Sequence, residues 1–275
     1  MKVLGICASY RKLGNCEVLV RETLEGAEEA GAETEFLRLT DERIEPCRGC
    51  MRCVFKGLPC PIDDGVHTIH QKLKEADAVV VAVPNYILGA AGIFKKLMDR
   101  SMALMFPEER PMQWKPAVAM VAYGVRGWEG FALAQVNTFL LSIGCTLVDS
   151  FCALCQGPGE VALQEEVLLR CHENGRKLAS GIRGKPSFEG ICPVCGGNLI
   201  EVVDLKVRCP VCNIYGHIIV EDGRLGVKFD NPENNRWTPE NMKRHFEKEM
   251  LPSAERYIKE RAKIKELTKR YREKA

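Results

Sequence analysis

The sequence predicts a doubly wound α/β domain, then a small β ribbon built around a metal, then a helical tail. Three observations predict it. Over roughly the first 183 residues, short apolar β-rich runs alternate with longer helical patterns, as parallel strands with helices on both faces require. Ala78–Val83 reads AVVVAV, the continuous apolar run of a strand covered on both sides. Near Arg183 the character changes. Gly184, Pro186 and Gly190 punctuate a linker, and two Cys-Pro-Val-Cys knuckles follow, at 192–195 and 209–212.

Taken in order, Lys2–Ser9 is the first strand. Asn15–Ala30 has helical spacing of Val18, Val20, Leu24 and Ala27. Glu33–Thr40 is the second strand, Cys47–Cys60 a cysteine-rich loop, and Asp64–Glu75 a helix. Ala78–Val83, Ala117–Ala122 and Thr146–Ala153 are the third to fifth strands. The helices Ala90–Ala103, Phe131–Ile143 and Val161–Ile182 follow them. Beyond the knuckles, Asp222-Gly223 marks a tight hairpin, and Asp230–Asn235 is a polar loop. Thr238-Pro239-Glu240 opens a helix, with Thr as cap and Pro at the first helical position. The tail, Glu255–Ala275, is helical with a stripe of Tyr257, Ile264, Leu267 and Tyr271. These readings divide the chain at 1–187, 188–230 and 231–275. The stripe is expected to rest on the protein or on a second subunit.

The bulk numbers narrow the field. The 275 residues are 46% hydrophobic, enough for one ordinary core and a smaller appendage. With 39 basic and 37 acidic residues, no global field points to nucleic acid. No leader pattern or membrane-length apolar run is seen. Fourteen cysteines are the anomaly. Eight fall into two groups with ligand-like spacing, which without a secretory signal reads as metal binding in a reducing cytoplasm.

The first strand runs into Ser9-Tyr10-Arg11-Lys12-Leu13-Gly14-Asn15-Cys16 and then a helix. Loop N–H groups, a helix N-terminus, a hydroxyl and a guanidinium suit a phosphate. Alone, the loop fits a polar turn with nothing bound equally well. It is neither a dinucleotide nor a nucleoside-triphosphate loop. Strand three, however, ends in Pro84-Asn85-Tyr86-Ile87 and strand four in Tyr123-Gly124-Val125-Arg126-Gly127-Trp128. All three segments should meet at the carboxyl rim, where open α/β sheets bind ligands.

The pattern S-x-R-x-x-G-N, then P-x-Y with a downstream Phe94-Lys95-Lys96-Leu97-Met98-Asp99-Arg100, resembles the NAD(P)H-dependent FMN reductase branch of the flavodoxin-like superfamily, over residues 1–183. The resemblance implies a five-stranded parallel sheet in the order 2-1-3-4-5. It also implies FMN, with its phosphate on Ser9, Arg11, Gly14, Asn15 and Cys16. Its ring would lie by Pro84, Asn85, Tyr86 and Ile87 and by Tyr123, Gly124 and Gly127. Cys16 stands where Thr is usual.

Cys47-x2-Cys50-x2-Cys53-x6-Cys60 can wrap one compact [4Fe–4S] cluster. Zinc, or thiols without a cluster, are the alternatives. The loop follows strand two at the same rim. The combination resembles the iron–sulfur flavoproteins, which implies a homodimer or homotetramer and ferredoxin or NAD(P)H as electron donor. Cys192-x2-Cys195-x13-Cys209-x2-Cys212 is a metal ribbon with zinc, or alternatively iron, on four sulfurs. Cys152 and Cys155 read as a redox dithiol or as core residues; Cys7, Cys145 and Cys171 read as buried fillers. Asp63 and Asp64 read as orienting the cysteine loop or capping the next helix. The function expected is electron transfer through FMN and the cluster. An FMN or quinone reductase lacking a cluster is the alternative, and an RNA- or protein-binding regulatory module a third reading.

Overall fold

The computed structural model describes residues 1–106, 110–181, 191–221 and 223–272. The first part runs β1 (Lys2–Cys7), α1 (Asn15–Glu29), β2 (Glu33–Arg38), α2 (Arg52–Phe55), α3 (Val66–Glu75), β3 (Ala78–Tyr86), β4 (Gly89–Ala90), α4 (Gly92–Arg100), β5 (Pro116–Tyr123), α5 (Ala132–Ser142), β6 (Thr146–Leu154) and α6 (Glu165–Ser180). Five parallel strands are ordered β2-β1-β3-β5-β6. Counted among themselves they give the expected 2-1-3-4-5. The two-residue β4 adds an antiparallel pairing at the end of β3.

Period-two alternation explains the apolar run in β3. Val79, Val81 and Val83 join one core, with α3, α4 and α5. Ala78, Val80 and Ala82 join the other, with α1 and α6. Both faces are covered, so no position in the run is free to be polar. On the second face α1 and α6 cross at two glycines. A Cβ at Gly26 would lie 2.1 Å from the His172 carbonyl oxygen, and one at Gly175 2.0 Å from that of Thr23.

The last predicted helix of this part starts later than expected. A 3-10 turn at Glu160–Leu163 precedes α6, because Asn15 Oδ1 accepts the Val161 N–H at 3.1 Å and holds that segment against α1. Cys152 and Cys155 lie three residues apart along β6 and its end, hence on opposite sheet faces. Cys152 packs against one core and Cys155 belongs to the other. They are core residues, not a dithiol pair.

The second part is a four-stranded antiparallel sheet ordered β10-β9-β8-β7, from β7 (Glu201–Val203), β8 (Lys206–Arg208), β9 (Tyr215–Glu221) and β10 (Arg224–Phe229). Glu221 pairs with Arg224 and Gly223 has φ +73°, as a two-residue hairpin demands. Asp222 and the linker 183–190 lie outside the described residues. The ribbon is no pendant. Its four cysteines belong to the same apolar cluster as Phe139 and Ile143. Asn137 Nδ2 donates to the Cys195 carbonyl at 2.6 Å, while Ser150 Oγ donates to Asn137 Oδ1 at 2.9 Å.

Thr238 caps α7 (Pro239–His245) as expected, accepting the Asn241 N–H. A π-helical turn, Phe246–Met250, then leads straight into α8 (Leu251–Arg272). Pro252 has no N–H for the ordinary i to i−4 bond there. The tail stripe does not rest on this chain's core: Tyr257 and Leu267 are 54% and 62% exposed. Among the described residues no helix is long and apolar enough to cross a membrane.

The Gly175 contact yields a test. Gly175→Ala forces a methyl into the α1 backbone and should lower stability by about 2 kcal/mol, seen as a lower midpoint in thermal unfolding, while the exposed Gly31→Asn change leaves the midpoint nearly unaltered.

Candidate functional site

The loops after β1, β3 and β5 meet at the carboxyl rim around a cavity of about 190 Å³. Ser9, Arg11, Asn15 and Cys16 border it from the first loop, Pro84, Asn85 and Tyr86 from the second, and Tyr123 and Gly124 from the third. Three predicted residues do not border it. Gly14 is the N-cap of α1, Ile87 is 95% exposed at the tip of the β3–β4 turn, and Gly127 lies beyond Gly124 with φ +80°. Ala122, Cys155 and Gln156 line it as well. The sequence signal for the last two was their place just past β6, at the same rim.

The first loop is a donor cradle. Gly14 gives α1 no side-chain cap, and Gly14, Asn15 and Cys16 are buried. A buried, uncapped N-terminus leaves N–H groups in need of an acceptor, with the helix dipole favouring an anion. Ser9 Oγ accepts the Arg11 N–H at 3.2 Å, so its own hydrogen is left to donate. The Asn15 side chain is committed elsewhere, donating to the carbonyls of Cys155 and Gly157 at 3.3 and 2.9 Å. Only its backbone faces outward. The Cys16 thiol is buried, and desolvation, with Cys7 and Cys155 nearby, pushes it well up.

Behind this loop lies a pair that sequence reasoning missed. Arg38 donates to the carbonyls of Ser9 and Arg11 and to Glu17. Glu17 in turn accepts the Leu13 N–H, at the loop's left-handed residue, φ 52°. Both side chains are under 8% exposed. Burial works against the Glu17 charge, yet hydrogen bonds from Arg38 and Arg21 hold its carboxyl down to about 2. Nothing in the local pattern announces a buried pair 21 residues apart.

The second and third loops brace each other. Asn85 Nδ2 donates to the Trp128 carbonyl, the Phe131 N–H to the Leu88 carbonyl at 2.7 Å, and the Ala90 N–H to Gln135 Oε1 at 2.7 Å. A Cβ at Gly130 would sit 2.4 Å from the Leu88 oxygen. Ile87 and Leu88 both have positive φ, costly for non-glycine residues and held only because the surroundings over-determine them. Asn85 Oδ1 is buried without a partner among the described residues, an acceptor left for a ligand's donor. Burial, with Glu129 adding to it, pushes the Tyr123 phenol up, so it stays protonated. An uncapped anion cradle, an orphaned acceptor and an exposed aromatic at Tyr86 together fit FMN.

The cysteine loop is pinned at its base by Arg100. That guanidinium donates to the carbonyls of Glu45 and Ile62 and to both oxygens of Asp64, at 2.7 to 3.3 Å. Both side chains are essentially inaccessible. Asp64 also accepts the N–H groups of Glu45 and Val66, so it orients the loop and satisfies the first N–H of α3, whose cap position is Gly65. Between these anchors the backbone curls through positive φ at Gly49, Met51 and Gly57, with the single turn of α2 inside. Cys47, Cys53 and Cys60 are half-buried and Cys50 exposed. The Gly49 N–H donates to Cys47 Sγ at 3.4 Å, and burial, with Cys60 and Cys47 close by, pushes the Cys53 thiol up. Among the described residues these thiols do not form a group within 4.8 Å of one another. A single ion needs that proximity; a cubane, with four irons between its ligands, holds its thiolates farther apart.

The ribbon is a four-cysteine metal site. Cys192, Cys195, Cys209 and Cys212 are at most 1% exposed, and their sulfurs lie within 4.8 Å of one another. Cys195 and Cys209 are 3.7 Å apart, against about 3.8 Å for the edge of a tetrahedron with 2.3 Å metal–sulfur bonds. Cys145 and Cys171 are sealed in the core. Burial pushes Cys171 up to about 12 and Cys145 higher still.

A family model described as NADPH-dependent FMN reductase matches residues 1–158. An iron–sulfur flavoprotein of Methanocaldococcus jannaschii is 40% identical over 141 residues, 51% of this chain and 72% of the relative. One from Archaeoglobus fulgidus is 29% identical over 189 residues, 69% of this chain and 84% of the relative. Among solved structures, a flavone reductase superposes over 99% of this chain and 97% of its own, with TM-score 0.82 and 22% identity. The NAD(P)H:quinone oxidoreductase from Methanothermobacter marburgensis covers 65% of this chain, with TM-score 0.50 and 20% identity. The fold of the first structure thus extends through the ribbon and helices.

Removing Glu17 leaves the buried Arg38 with the exposed Asp41, 3.7 Å away, as its remaining carboxylate. Glu17→Gln should cost about 3 kcal/mol. The folded-state carboxyl lies below its ordinary value, so the stabilisation is complete above about pH 4.5 and fades as pH falls toward about 2. Chemical unfolding at neutral pH and at pH 3 should show a smaller difference between wild type and variant at the lower pH.

Proposed function

Since the chain belongs to the NADPH-dependent FMN reductase family, we propose that it is an iron–sulfur flavoprotein passing electrons between a donor and an acceptor through FMN and a [4Fe–4S] cluster. The observation that carries this reading is that the donor cradle and the four-cysteine loop leave the same rim of one sheet, after β1 and β2. The two strands are hydrogen-bonded neighbours along their whole length, from Lys2–Glu33 to Cys7–Arg38. The iron–sulfur flavoprotein relatives support the cluster.

In this reading Ser9, Arg11 and the first N–H groups of α1 hold the phosphate. Asn85 and Tyr123 supply an acceptor and a donor to the ring, and Tyr86 offers an exposed aromatic edge. Bound flavin interconverts one- and two-electron chemistry. The protein's part is positioning: the Arg38–Glu17 pair sets the phosphate loop, and the bracing of Asn85 and Leu88 on residues 128–131 sets the ring loops. Cys47, Cys50, Cys53 and Cys60 would hold the cluster, with Arg100 and Asp64 fixing where the loop leaves and rejoins the fold. Zinc is the ribbon's metal in this reading, since four buried thiolates without an open position make a closed structural site. The chain works as a homodimer or homotetramer in the reducing cytoplasm. The exposed Tyr257 and Leu267 of α8 support a second copy there.

The test is metal and flavin analysis of anaerobically prepared protein. About four irons with matching acid-labile sulfide are expected per chain, with about one zinc and flavin absorbance. Cys50→Ser should lose the iron and sulfide while keeping flavin and zinc. Wild-type protein that binds flavin but takes up no iron on reconstitution would return the chain to the plain reductases.

A further inference from the structure

A larger cavity, about 580 Å³, lies where the cysteine loop, the residues after α4, the ribbon and α7 meet. It shares no lining residue with the flavin cavity. Its size is that of small-molecule sites, which run from about 300 to 1,000 Å³. Its walls are unusual. Met51, Met102, Met105, Met242 and Met250 supply five thioethers from three separate segments. Trp237 and Phe246 add flat faces, and Phe246 is stacked on Phe106 at 4.5 Å. Soft sulfur and aromatic surfaces of this kind take flat conjugated rings.

Within the lining stands an unsatisfied donor. Trp237 Nε1 is buried and has no hydrogen-bond partner among the described residues. A buried indole N–H ordinarily finds one. Its position is fixed from both sides. The Arg236 N–H donates to the Cys212 carbonyl at 2.9 Å, tying the segment to the metal knuckle. The Trp237 N–H donates to Asn235 Oδ1 at 3.0 Å, and Arg110 donates to the Trp237 carbonyl at 3.1 Å. The rim carries a matching charge. Glu249, its one carboxylate, is taken by His245 at 2.6 Å. Arg236 and Arg244 line the cavity with no carboxylate partner among the described residues.

We propose that this cavity is a second ligand site, independent of the flavin site, for a flat two- or three-ring aromatic compound bearing an anionic oxygen. A carboxylate or phenolate accepts the Trp237 N–H once the indole turns toward the cavity, the rings lie against the methionines, and Arg244 neutralises the charge at the mouth. The site exists only because the ribbon docks beside the cysteine loop.

Calorimetric titration of the full, flavin- and metal-loaded chain tests this with three probes: 2-naphthoate, naphthalene and cyclohexanecarboxylate. The naphthoate should bind best and the saturated acid worst. Trp237→Phe keeps an aromatic face and deletes the donor. It should weaken naphthoate about 10-fold while leaving naphthalene unchanged. Arg244→Gln, at an exposed position, should do the same without touching the interior. Unaltered zinc content and thermal midpoint establish that both variants are folded. Failure of the wild type to bind naphthoate at millimolar concentration overturns the proposal. So does equal loss of naphthoate and naphthalene in both variants, since the N–H and the rim charge would then recognise nothing.

Discussion

Irregular backbone at the rim of a buried sheet must find hydrogen-bond partners, and everything functional in this protein depends on how that is met. A loop that cannot reach water leaves carbonyls and N–H groups to be satisfied internally. Here two arginines carry much of the task. Arg38 takes the carbonyls of Ser9 and Arg11, and Arg100 takes those of Glu45 and Ile62. Each guanidinium is neutralised by one buried carboxylate, Glu17 or Asp64. Such pairs contribute little net stability against an apolar substitute, because desolvation offsets their attraction. What they provide is position: five donors in a rigid fork fix several backbone segments at once.

The fold was legible because its signals are repetitive. Strict alternation in β3 places Val79 and Val81 on one core and Val80 and Ala82 on the other, and the βα order leaves few topologies. The rim loops were legible in part. Ser9, Arg11, Asn85 and Tyr123 could be placed at the cavity because each lies at or just past the carboxyl end of a strand. What the pattern could not reveal is which face a side chain turns to. Asn15 spends its amide on the turn after β6, and Ile87 points away at the tip of a tight turn. Arg38 looks like the end of a strand and Arg100 like the end of a helix. Their partners are 21 and 36 residues away, beyond any local period.

The same limit applies to the C-terminal third. Spacing alone identified the four ribbon cysteines, since a metal knuckle is a local object. That the ribbon would share a core with α5 was not readable. It rests on Asn137, a fully buried residue of α5 whose amide joins the Cys195 carbonyl to Ser150 of β6. Without that link Asn137 would be an unsatisfied group in the core; with it, the knuckle and sheet are held in one register.

The ribbon and the cysteine loop are mechanically connected. The ribbon strands are short, so the sulfur–metal bonds supply much of what keeps them folded. From Cys212 the order passes through the Arg236 N–H to Trp237, then along α7 to Phe246, which stacks on Phe106 beyond α4. That last segment follows Arg100, the anchor of the cysteine loop, and Met51 and Val54 of the loop face the same cavity as Trp237. The ribbon metal and the cysteine loop are therefore joined by packed side chains and fixed backbone. A closed structural site at one end buttresses an open loop of thiols at the other. The loop itself is short of apolar anchors, with Ile44, Val54 and Ile62 its only buried hydrophobic residues between 42 and 65. A protein that must keep four thiols at a partly exposed rim gains from bracing them with a module whose own sulfurs are sealed from water.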